Sequence, residues 1–102
     1  MRYKLATRSC RSEDGIPYQF QYFLLTELAP SPHFFCELYG VQLIDNFGNE
    51  ASFPAITTSP GKIDQLATLL VEHLVGPATL ESVVTDWLAQ EKSGAEQVGT
   101  AG

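Results

Sequence analysis

The chain has 102 residues, 44% of them apolar and 11% aromatic, enough for one buried core and too few for a second domain. Its net charge of -6, from twelve acidic and six basic residues, argues against a nucleic-acid partner, because phosphate binding draws its affinity from Lys and Arg. Met1-Arg2-Tyr3-Lys4 leads into no apolar signal segment, and no apolar run approaches the roughly 20 residues of a membrane span, so a cytoplasmic protein without a membrane partner is expected, its Cys10 and Cys36 kept as thiols.

Four of the six basic residues, Arg2, Lys4, Arg8 and Arg11, lie in the first eleven positions, and every acidic residue follows them. This segment alternates, with Arg2, Lys4, Ala6, Arg8 and Cys10 set against Tyr3, Leu5, Thr7, Ser9 and Arg11, which predicts a strand carrying Arg2, Lys4 and Arg8 on one basic face. Asp14-Gly15 supplies a turn, since Gly accepts positive φ without steric cost, and Tyr18, Phe20, Tyr22 and Leu24 then alternate with polar neighbours in a second strand. Pro30 and Pro32 lack an N–H, so that strand is expected to end near Leu28.

From His33 to Ile44 apolar side chains occupy both parities, the pattern of a strand covered on both faces. The run Asp45-Asn46-Phe47-Gly48-Asn49 predicts a second hairpin, whose return strand ends near Thr57. Pro54 lies inside that fourth strand, which therefore belongs at an edge or carries a bulge.

At Ser59-Pro60-Gly61 the apolar period changes from two to three or four. Ser59 is suited to cap a helix and Pro60 to open it, with Ile63, Leu66, Ala67, Leu70 and Leu74 forming one apolar stripe. Beyond Gly76-Pro77, Thr79 reads as the cap of a second helix with Leu80, Val83, Val84, Trp87 and Leu88 on its apolar face. After Gln90 the pattern dissolves, so a single domain over residues 1–91 and a disordered tail over 92–102 are expected. The predicted fold is α+β: a four-stranded antiparallel meander followed by two helices packed on one face.

Tyr39-Gly40-Val41, Ser59-Pro60 and the helix Pro77-Ala78-Thr79-Leu80-Glu81-Ser82-Val83-Val84-Thr85-Asp86-Trp87-Leu88 together resemble a family of short uncharacterised proteins from Gram-positive bacteria. The resemblance covers most of residues 2 to 90 and implies a domain of unknown function. It carries over no catalytic or binding residue, and Ser82 stands where the family's pattern has an acid.

No catalytic constellation, metal site or cofactor motif is read from the residues, and an enzyme is not expected. His33, Cys36, Cys10 and His73 include the ligand types of zinc, but positions 33 and 36 point to opposite faces of a strand. A Cys36 nucleophile is disfavoured by its apolar neighbours, and Gly61-Lys62 lacks the rest of a phosphate-binding loop. Two features do point to partners. Arg2, Lys4 and Arg8 form a candidate contact for an acidic partner or anion. In addition, two helices cover only one face of a four-stranded sheet, while Phe23 and Leu25 oppose the parity of Phe20, Tyr22 and Leu24.

A homodimer, another protein or a sheet curling round its own core would cover that second face, and self-association is the expectation. The leading function is a protein-interaction or regulatory module. Its alternative is a small-ligand sensor with an apolar pocket between sheet and helices. Phe23, Leu25, Tyr39 and Trp87 are the candidates for an interface or pocket, with Tyr18 and Tyr22 as further pocket residues.

Overall fold

In the computed structural model the chain forms β1 (Arg2–Arg11), β2 (Pro17–Pro30), β3 (Phe35–Asp45), β4 (Glu50–Thr57), α1 (Pro60–Glu72) and α2 (Pro77–Ala101). The structure describes residues 1–30 and 35–101, with side chains for 1–29 and 36–90. The strands make one antiparallel sheet in the order β1-β2-β3-β4, so the predicted α+β meander with two following helices is the observed fold. His33, Phe34 and the predicted Pro32 loop lie outside the described residues, as do the side chains of the expected tail. The backbone of α2 is helical through Ala101, beyond the Gln90 end read from the sequence.

Cross-strand pairs define which side chains share a face. Tyr22 opposes Leu43, Leu24 opposes Val41, and Val41 opposes Phe53. This face meets the helices. Ile63, Leu66 and Leu70 of α1 and Leu80, Val84 and Trp87 of α2 close over it, and together with Val75 they form the core with Tyr22, Val41 and Leu43. Leu88, predicted to join them, is instead exposed, while Val83 of the same stripe is half-buried against the core.

The two helices start in different ways. Ser59 has extended backbone, and its hydroxyl accepts from the Lys62 N–H at 3.2 Å, with Pro60 inside the first turn. α2 begins earlier than predicted, at Pro77, so Thr79 is not its cap. Thr79 sits inside the first turn, where its N–H and hydroxyl donate back to the Gly76 carbonyl. Pro77 repeats the device of Pro60, and the Phe20 ring packs within 3.2 Å of where a Gly76 Cβ would stand.

Strand two also runs further than its prolines suggested. Ala29 pairs with Cys36 and Pro30 with Phe35, because a proline constrains itself and its predecessor to extended backbone even while withholding a donor. In the β3–β4 turn, the Asp45 carboxylate accepts from the Phe47 and Asn49 N–H groups and from the Asn49 amide, and these bonds hold its pKa below the ordinary carboxylate value. The turn is thus fastened by one side chain.

Pro54 marks a bulge in an edge strand. The register steps from Val41↔Phe53 to Tyr39↔Thr57, so β4 spends two extra residues opposite Gly40. Ala55, in that bulge and exposed, has φ 56°, a conformation costing an L-residue about 1–2 kcal/mol. Ala55→Gly is expected to raise stability by roughly 0.5 kcal/mol, that relief less the extra freedom glycine gives the unfolded chain. A urea midpoint equal to or below the parent's would refute this.

One polar group enters the core with its partner. The Tyr22 hydroxyl donates to the Val75 carbonyl at 2.9 Å, tying β2 to the α1–α2 connection. Burial pushes its pKa up to about 12, with Arg8 opposing the shift and Cys10 adding to it. The folded chain therefore holds this proton more tightly than the unfolded chain, where it leaves near 10. That contribution to stability is complete below about pH 10 and is lost as pH rises through about 12. Tyr22→Phe is expected to cost about 1–3 kcal/mol at neutral pH by orphaning the Val75 carbonyl, and to lose less stability than the parent between pH 10 and 12. Urea midpoints over that range measure it, and parallel curves for the two proteins would contradict it.

Candidate functional site

The first strand holds most of the chain's positive charge, and a bulge divides that charge between two faces. Lys4 pairs with Phe23 and Ala6 with Tyr22, which leaves Leu5 as one extra residue. Because side chains alternate, that residue reverses the parity of the strand beyond it. Arg2 and Lys4 share the sheet face away from the helices, whereas Arg8, opposite Phe20, shares the helix face. The expected single basic face of Arg2, Lys4 and Arg8 is therefore corrected to two.

Each cation then has a different environment. Arg8 donates to the Val71 carbonyl at 3.1 Å, placing a positive charge at the end of α1, which has no basic residue of its own there. Arg2 lies over the Phe23 ring at 4.4 Å and donates to the Gln42 side chain at 3.2 Å. Arg11 reaches the Gly15 carbonyl at 3.4 Å. Lys4 is exposed and makes no side-chain bond among the described residues. None of these four cations pairs with a carboxylate among the described residues, although the chain has twelve.

β1 is also an edge. Met1 and Thr26 exchange hydrogen bonds, the Thr26 N–H reaching the Met1 carbonyl at 2.8 Å and the Met1 nitrogen the Thr26 carbonyl at 2.6 Å. Antiparallel pairs alternate in this respect, so Arg2 and Lys4 turn their backbone N–H and C=O groups outward. Tyr3 and Leu5 are 49% and 44% exposed along the same edge. Between β1 and α1 runs an open groove of about 300 Å³ lined by Leu5, Ala6, Ala67 and Val71, with Asp64 and Glu72 also on its walls.

The other candidates do not converge. Phe23 and Leu25 are on the face away from the helices, Tyr39 is on the helix face, and Trp87 is buried on α2. Tyr22 and Trp87 fill the space between sheet and helices that a sensor's pocket would need, while Tyr18 lines an open cavity of about 560 Å³ at the sheet's end. Burial, and then the neighbouring Glu37, hold the Tyr39 hydroxyl above its ordinary pKa.

Phe23 is buried without any helix above it, covered in part by Arg2. The Pro54-Ala55 backbone similarly lies against Gly40, so the chain supplies part of the second face's cover itself. Cys10 and Cys36 are free thiols set on opposite faces, opposite Tyr18 and Ala29 respectively. Among the described residues no three His, Cys, Asp or Glu side chains gather as metal ligands, and no helix is long and apolar enough to cross a membrane.

The strand bulge is what sequence reading missed. Its residue, Leu5, continues the alternation seamlessly, and only pairing to β2 reveals the slip. Compared with known proteins, residues 1–90 match the model of a family of unknown function, DUF6514. No curated protein and no solved structure matches.

Proposed function

We propose that this chain, which belongs to the DUF6514 family of unknown function, is a small non-catalytic interaction module of the cytoplasm that receives another protein on the outer edge of β1. The observation that carries this reading is the set of four β1 cations without a carboxylate partner among the described residues, in a chain with twice as many acids as bases. Charge of that sign on an open edge favours one class of partner and disfavours others.

The two edges of the sheet differ in a way that supports β1. β4 carries Pro54, a two-residue bulge and a left-handed Ala55, each of which spoils it as a template for another strand. β1 spans ten residues with one bulge and no proline. Pairing of two β1 edges from separate copies would bring Arg2, Lys4 and Arg11 of one copy onto the same face as those of the other, which argues against self-association there.

Lys4→Pro supplies the test. Its N–H faces outward, so proline removes a donor from the free edge while the ladder to β2 keeps its bonds. A binding protein identified in the native host by capture on the parent is expected to be lost with Lys4→Pro, whose circular dichroism and melting stay close to the parent's. Equal capture by both proteins would refute the edge as the docking site.

A further inference from the structure

Building on β1 as the docking edge, we propose that its occupant is an extended acidic segment of another protein, added beside β1 with carboxylates on one face and apolar side chains on the other. The first half of this pattern follows from the face away from the helices, where Arg2 and Lys4 stand with Thr7, Ser9 and Arg11. A strand laid beside them places its side chains directly opposite, and acidic ones meet Lys4 favourably, while Arg2 is turned inward over Phe23 and Gln42 and adds only its longer-range field. Lys4 has no competing bond among the described residues.

The second half follows from the helix side. There the added strand meets Tyr3, Ala6 and the groove walled by Leu5, Ala67 and Val71, which suits short apolar side chains. Asp64 and Glu72 on the same groove repel a carboxylate turned inward. The occupant is thereby fixed in polarity as well as composition: acids away from the helices, apolar residues towards them. A basic segment is repelled on the first face, and a second copy's β1 is repelled for the same reason.

Two synthetic peptides of about twelve residues test this on the full chain, one alternating Glu with Val and one alternating Lys with Val. Amide hydrogen exchange reads docking at the edge, because the outward N–H groups of Arg2 and Lys4 gain protection when a strand is added. The Glu peptide is expected to protect both amides, with affinity falling about tenfold in Lys4→Glu and again between roughly 0.05 and 0.5 M salt. Lys4→Glu is the variant of choice because the exposed Lys4 side chain makes no hydrogen bond or ion pair among the described residues, unlike Arg2 over Phe23.

Equal protection by the Lys peptide, or an affinity unmoved by Lys4→Glu, would overturn the acidic occupant while leaving β1 as a docking edge. Protection by neither peptide would overturn both. Perturbation centred on Phe23 and Leu25, or a rise in mass to that of two copies of the chain, would assign the contact to the uncovered sheet face and overturn the proposal likewise.

Discussion

Gly40→Ala is expected to be among the most damaging single substitutions in the chain, costing about 3 kcal/mol or more and lowering the melting temperature by roughly 12 °C or more. A Cβ on residue 40 would stand 2.6 Å from the Pro54 Cα and 3.0 Å from the Ala55 nitrogen, and would overlap the Phe53 carbonyl oxygen. All three obstacles are backbone, so no side-chain rotation relieves them. The β4 bulge must move off β3, and with it goes the placement of Phe53 and Ile56 against the core. Gly15→Ala and Gly48→Ala meet open space and pay only for their positive φ, so they serve as controls of smaller effect. Thermal melts of the three variants decide the matter, and equal losses for all would contradict the role given to the bulge.

Trp87→Ala should cost about 3–5 kcal/mol, the range for removing a buried aromatic side chain and leaving its space partly empty. Trp87 is 9% exposed on α2 and packs into the same cluster as Leu66, Leu70 and Leu80. Its loss removes the last large apolar anchor of the described part of α2, so fraying of that helix from residue 84 onward should accompany the fall in stability. Leu88→Ala, one position on, is expected within about 0.5 kcal/mol of the parent because Leu88 is 41% exposed. Urea unfolding of both variants measures the contrast. Near-equal midpoints would mean that α2 is rotated from the orientation described.

How legible the fold is from sequence depends on the range of the interaction involved. Ser59 and Pro60 act within a single turn, so the cap and the start of α1 can be read from adjacent letters. The helix periods are nearly as local, and they put Leu66, Leu70 and Leu80 on the apolar faces that the structure buries. Thr79 shows the limit, because Ser, Thr and proline each signal a helix start, and only the backbone distinguishes the Gly76-Pro77 entry from a cap three residues later.

The candidate site was less legible. The richness of β1 in cations is plain from composition, yet the division of those cations depends on pairing with a strand some 20 residues away. Arg8 reads like Arg2 and Lys4 in the sequence. In the structure it is committed to the Val71 carbonyl, a contact spanning 63 positions that no local pattern announces. The apolar surplus of the second face was likewise overstated, since parity alone does not reveal that Arg2 folds over Phe23 or that β4 doubles back against Gly40.

The extra residue at Leu5 gives β1 a sensitivity to length rather than to chemistry. Many side chains could stand at an exposed bulge, but deleting the residue would put the first four positions out of phase with the rest. Arg2 and Lys4 would be turned to the helix side of the sheet and Tyr3 to the opposite face. A chain with a one-residue gap there would therefore present a different charge along its open edge.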